Sequence, residues 1–113
     1  NTTEKSYVET MNKAERAKYL ALTILKAIKD CTNFKFHGKH RAILEAYYIE
    51  NLNAYQTRVR VGMTEAEYKP AKKEALIEFI KRYDYLRKAR QCPELPELFY
   101  PQKPKKLPKT AQK

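Results

Sequence analysis

Apolar residues recur along this chain at intervals of three and four and rarely alternate, so helices rather than strands are the expected elements. Ala14, Ala17, Leu20, Ala21, Ile24, Leu25 and Ile28 form one such stripe and predict a first long helix from about Ser6 or Met11 to about Asp30. Lys13, Arg16, Lys18, Lys26 and Lys29 fall largely elsewhere on its wheel, and the stripe reads as core. Asp30-Cys31-Thr32-Asn33 marks the end of this helix, and a loop with Phe34, Phe36 and Gly38 follows. A second helix is expected from roughly Lys39 to Asn51, turning Ile43, Leu44, Tyr47 and Tyr48 inward. Asn53 then suits the N-cap of a short third helix, Ala54 to Val61. Beyond Gly62 an apolar face made by Tyr68, Ala71, Ala75, Leu76, Phe79, Ile80, Tyr83 and Leu86 runs to about Arg90, as one helix or as two joined at Pro70.

The junction at Gly62 organises the rest. A helix that stops with φ > 0 does so cheaply only on a residue without Cβ, and Thr64-Glu65-Ala66-Glu67 immediately beyond it is a capping box for the next helix. Residues 53–83 therefore read as a helix-turn-helix. With Gly62 at the ninth position, Ala54 is first, Val61 eighth, Met63 tenth, Tyr68 fifteenth and Ala71 eighteenth, so apolar groups fall where two crossed helices need them. Arg58 takes the fifth position, normally a small residue at the crossing, and must snorkel out or force the helices apart. Pro70 lacks the N–H that would bond to Ala66 and predicts a kink or a restart. The plainer alternative makes Gly62 a connector between two packed helices.

From Cys92 the character changes: Pro93, Pro96, Pro101, Pro104 and Pro108 break any helix, and Lys103, Lys105, Lys106, Lys109 and Lys113 follow without an acid among them. A helical domain over 1–92 with an extended or disordered Pro/Lys-rich tail over 93–113 is expected. Leu95, Leu98, Phe99 and Tyr100 stand apart in that tail as groups that pack back on the domain or meet another chain. With 113 residues, two glycines and 33% charged residues, the composition fits one small all-α domain.

Charge narrows the function. The formal net charge is +11, and it is uneven. Residues 1–40 carry eight basic and four acidic groups, 41–66 three and three, 67–92 eight and four, and 93–113 five and two. Such an excess is relieved by an anionic partner, ordinarily nucleic acid or a membrane surface. No apolar run approaches the roughly twenty residues of a membrane span, so a soluble, cytoplasmic chain is expected, with nucleic acid and no membrane as its partner. Cys31 and Cys92 are too few for a zinc site or a disulfide scaffold and are expected to be reduced and dispensable. His37 and His40 flank Gly38 with no partners for a metal set and read as loop residues touching phosphate or solvent. The nine tyrosines are mostly assigned to core packing. Neither a catalytic constellation nor a cofactor or metal site is expected, so the chain does not read as an enzyme.

The first turns of a recognition helix meet base edges in the major groove. Glu65, Ala66, Lys69, Lys72 and Lys73, with Thr64 at their head, are therefore the candidate base-facing residues, and Gln56, Thr57, Arg58 and Arg60 the candidate phosphate contacts. A solvated basic face is the alternative for the lysines.

The stretch from Arg41 to Tyr83 resembles the C-terminal DNA-binding region of sigma factors: a helix ending in Tyr-Ile-Glu-Asn-Leu, a short helix around Tyr55, Val-Gly-Met-Thr, then a long basic helix. More narrowly, Tyr68, Lys69, Lys72, Lys73, Ala75, Leu76 and Phe79 are similar to the closing stretch of the ArpU-like phage and prophage transcriptional regulators. The resemblance implies a sigma-like helix-turn-helix bound to double-stranded DNA, activating late or lytic phage genes with host RNA polymerase. Two alternatives stay open: a DNA-packaging protein like a small terminase subunit, forming a homo-oligomer, and a helical protein-interaction module without DNA affinity.

Overall fold

The computed structural model describes residues 2–34, 38–90 and 94–100, and its regular elements are all helical, as the spacing predicts. α1 is Thr2–Lys29, α2 is His40–Leu44 and continues into a π-helical stretch Glu45–Ile49, α3 is Ala54–Val61 and α4 is Glu65–Ala89. Among the described residues no helix is long and apolar enough to cross a membrane.

Both apolar clusters take one wall from α4. The first joins Ile28 and Cys31 at the end of α1, Ile43 and Leu44 of α2 and Val61 of α3 to Tyr68 and Ala75. The second joins Ala27 to Tyr83 and Leu86, with Leu20, Ile24, Phe79 and Leu98 against it. The expected cluster in the proline-rich arm thus packs back on the domain: Leu95 is buried, Leu98 joins the second cluster, and the Tyr83 hydroxyl donates to the Pro96 carbonyl at 2.6 Å. Phe99 stays exposed. The Lys-rich remainder, 101–113, and His37, Phe36, Cys92 and Pro93 lie outside the described residues.

Three sequence expectations shift. α1 starts earlier than Ser6, and its core face is Leu20, Thr23, Ile24, Ala27 and Ile28, whereas Ala14, Ala17, Ala21 and Leu25 of the expected stripe are exposed. In the second helix the backbone widens at Glu45–Ile49, and the larger turn changes which side chains face inward. Ala46 becomes core, Tyr47 is half-buried and Tyr48 is exposed, its ring held edge-on by Tyr47 at 4.8 Å. Finally, α4 runs through Pro70 without a break. The proline deprives only the Ala66 carbonyl of a helical partner, and Ala66 lies on the exposed side of the helix, where an unpaired carbonyl costs little.

Most of the remaining order comes from one carboxylate. Glu78, in the middle of α4, accepts from the Thr32 N–H (2.9 Å) and the Thr32 hydroxyl (2.7 Å), lies 2.7 Å from His40 Nδ1, and accepts from Arg82 at 3.3 Å. His40 is therefore part of a half-buried tie between α2 and α4 rather than a solvent or phosphate contact, and its Nε2 lies 3.7 Å from Glu74. Nearby, burial pushes the Cys31 thiol up to about 12, the Glu78 charge adding to it. The thiol stays protonated at neutral pH and donates to the Ala27 carbonyl at 3.3 Å.

Burial alone would raise the Glu78 carboxyl, but the hydrogen bonds from His40, Thr32 and Arg82 outweigh it and bring it down from 4.5 to about 2. A group held low in the folded state stabilises the fold above its unfolded value, and that contribution disappears as the pH falls from 4.5 towards 2. Its size is on the order of 3 kcal/mol. Glu78→Gln should therefore lose on the order of 2–3 kcal/mol of stability at neutral pH and show a flatter acid limb than the parent chain. Urea unfolding across that pH range measures both, and parallel profiles for the two proteins would remove Glu78 from this role.

Candidate nucleic-acid interface

The α3–α4 pair is set by local interactions at three points. At the start of α3 the Asn53 side chain accepts from the Gln56 N–H at 2.8 Å and the Gln56 side-chain oxygen accepts from the Asn53 N–H at 3.0 Å. At its end Gly62 has φ 70, and the N–H groups of Gly62 and Met63 close on the carbonyls of Val59 and Arg58 at 3.1 and 3.0 Å. The Lys39 ammonium adds a bond to the Val61 carbonyl at 2.7 Å, a cation on the negative end of the helix. α4 then opens with the expected capping box: Glu67 N–H to the Thr64 hydroxyl at 3.2 Å, Thr64 N–H to the Glu67 carboxylate at 2.9 Å.

The helices meet through Thr57, Val61 and Tyr68, all buried. The Thr57 and Tyr68 hydroxyls face one another there, outside good hydrogen-bond geometry. Burial raises the Tyr68 phenol and the Thr57 hydroxyl opposes that, so Tyr68 is neutral in the fold. The small residue at the crossing is thus Thr57, one position before Arg58. Arg58 turns outward past the contact, its guanidinium 5.2 Å from the centre of the Tyr55 ring and donating to the Met63 carbonyl at 3.3 Å.

This arrangement leaves an open cleft between the helices. Tyr55 and Arg58 line it from α3, Glu65, Lys69, Lys72 and Lys73 from α4, Tyr68 and Leu76 from below, and Tyr100 of the arm from the far side. Its cations differ in how free they are. Lys72 is half-buried, its ammonium 3.6 Å above the Tyr47 ring, and Lys73 lies 5.9 Å from the Tyr100 ring. Lys69 is well exposed and makes only a 3.9 Å pair with the equally exposed Glu65.

Of the residues expected to touch nucleic acid, the cleft therefore gathers Arg58, Glu65, Lys69, Lys72 and Lys73. Thr57 is removed as a phosphate contact because it is fully buried. The Gln56 carbonyl and the Thr64 hydroxyl are engaged as caps. Arg60 points the other way, to an ion pair with Glu50. Ala66 is exposed on α4 but does not line the cleft. The aromatic component is not among the expected contacts: Tyr47 is expected in the core, Tyr100 against the domain or another chain, and Tyr55 carries no assigned role. Tyr55 lies three residues from Arg58, a helical neighbour spacing that could have flagged it. Tyr100 reaches the cleft, and Tyr47 its Lys72, only through the tertiary fold. Among the described residues no group of three or more His, Cys, Asp or Glu is placed to hold a metal ion.

Comparison with protein-family models, with curated proteins and with solved structures finds no match for this chain.

A Cβ added at Gly62 would meet nothing within 4 Å, so the cost of replacing it is confined to the backbone at φ 70. Gly62→Ala should cost about 1–2 kcal/mol, and Gly62→Asn less, because asparagine tolerates the left-handed region. Thermal unfolding of the two variants checks the order; equal losses would mean that the turn is selected by something other than its backbone angle.

Proposed function

We propose that this chain binds duplex DNA through the α3–α4 cleft and the adjoining face of α4, and that it does so as a sequence-specific transcriptional regulator. The observation that carries this is the convergence of Arg58, Lys69, Lys72 and Lys73 on one open cleft between two helices fixed by caps, in a chain of net charge +11. Lysine and arginine in such a group neutralise phosphates and release condensed counterions, which supplies affinity without regard to sequence. Selectivity comes from the groups that can leave the phosphates and reach base edges. Lys69 and Lys73 stand on the solvent side of α4 and are the residues for that task. Arg58, propped by Tyr55, keeps to the backbone, and Lys72, held over Tyr47, adds charge to the groove wall. If the resemblance read from the sequence of residues 41–83 holds, the proposal extends to activation of late or lytic phage genes, with host RNA polymerase as the second partner.

With Arg58 and Lys72 at phosphates, the slope of log affinity against log salt should be about −2. Alanine at Lys69 or Lys73 should cost on the order of 1–3 kcal/mol on a preferred duplex and flatten the preference between duplexes. Lys72→Ala, whose ammonium is already engaged by an aromatic ring, should lose less and lose it evenly across sequences. Fluorescence anisotropy on a selected duplex and a scrambled one, in a salt series, reads all three quantities. A folded Arg58→Ala, Lys69→Ala, Lys73→Ala triple variant that binds the selected duplex as tightly as the parent would end the proposal.

A further inference from the structure

The first half of α1 adds nothing to either apolar cluster, although Asn12, Glu15, Arg16 and Ala17 border the arm at Glu94–Pro96. From Thr3 to Lys18 its side chains are exposed, and beyond that point the core draws on one side only, through Leu20, Thr23, Ile24, Ala27 and Ile28. The opposite side carries a second apolar row. Val8, Met11, Leu22 and Leu25 lie on it, and they are 55%, 64%, 51% and 38% exposed. The row is completed by four charges, all exposed: Glu4, Glu15, Lys18 and Lys29. Taken together, the positions from 4 to 29 step by four and three alternately, the seven-residue repeat that keeps one stripe of a helix facing a partner along its length.

The row has an internal symmetry that says which partner. Glu4 and Lys29 are equidistant from the point between Arg16 and Ala17, and so are Val8 and Leu25, Met11 and Leu22, and Glu15 and Lys18. Reversing the direction of the helix therefore exchanges apolar for apolar and acid for base. We infer that this face binds a second copy of α1, antiparallel, about a two-fold axis that crosses the helix between Arg16 and Ala17.

In that register Val8 of one copy meets Leu25 of the other, Met11 meets Leu22, and the central Glu15 faces Lys18 twice. Glu4 faces Lys29 at both ends. An in-register parallel pair would oppose like charges at all four charged positions, so the charges select the antiparallel arrangement while the apolar groups supply the attraction. The contact would run about 38 Å along the helix. Because the symmetry operator returns each surface to itself, the assembly closes at two copies. It joins the chains on the side of α1 away from α4, and needs no nucleic acid to form.

Sedimentation equilibrium of the full chain without DNA, over a concentration series, tests this. A reversible monomer–dimer equilibrium is expected. Met11→Glu, at a site exposed in the single chain, should leave helical content unchanged by circular dichroism and weaken the dimer by at least about tenfold. Glu15→Lys alone should weaken it about fivefold to tenfold, and adding Lys18→Glu to the same chain should bring it back, since the exchanged pair is complementary again only in the antiparallel register. A chain that stays monomeric throughout, a larger ring, a dimer indifferent to Met11→Glu, or a double exchange as weak as the single one would each overturn the inference. So would a monomer whose Met11-dependent binding is instead to vesicles of phosphatidylcholine and phosphatidylserine, which would make the same row a lipid-facing surface.

Discussion

Glu78 is where the helices of this protein are tied together. An ionised carboxylate with little exposure is costly unless its lone pairs are filled, and here Thr32, His40 and Arg82 fill them. The donors come from three places: the turn after α1, the first residue of α2, and the next turn of α4. Satisfying one charge therefore fixes the relative positions of three helices. Lys39, the residue before that histidine, carries the order on to α3 by binding its last carbonyl. The cleft between α3 and α4 is thus linked to that polar knot through Lys39 and through the first apolar cluster, to which Ile43 and Val61 both belong.

What could be read from the sequence is what depends on neighbours in the sequence. The caps at Asn53 and Thr64, the left-handed glycine and the ends of α3 and α4 are decided by bonds spanning three or four residues, and they appear as expected. The misjudged positions are those decided by contacts across the fold. Arg58 occupied the crossing only on the assumption of a standard register, whereas the buried Thr57 shows the contact one residue earlier. Tyr48 followed from a uniform turn of 3.6 residues, and a π-helical stretch displaced it. Periodicity also could not say that α1 has apolar groups on two opposite sides, because a stripe in a sequence does not declare which of them the core will take. The tie at Glu78 joins residues 46 positions apart, and nothing local announces it.

The cleft itself shows how aromatic rings change the worth of a basic residue. Three lysines within five positions look equivalent in a sequence, yet Lys72 rests on the face of Tyr47 and Lys69 stands in solvent beside Glu65. A ring face stabilises an ammonium by roughly 0.5–2 kcal/mol and limits how far it can reach. Equal charge therefore does not mean equal availability, and the tyrosines, invisible in a count of charges, are what separate the two.

The placement of α4 also dictates the order of events during synthesis. Every closed part of the interior leans on this helix, from Tyr68 to Leu86, while α1, α2 and α3 supply only the opposing walls. A nascent chain that has emerged as far as Val61 has Ile28, Ile43 and Leu44 ready but nothing to cover them. At about 5–20 residues per second, the wait for the next 25 residues is on the order of seconds. Helices form in about a microsecond, so the first three can flicker in and out many times before the interior closes. The first three helices are thus exposed to chaperones and proteases in that interval, and their solubility rests on a modest excess of charge, eleven lysines and arginines against six acids in residues 1–61.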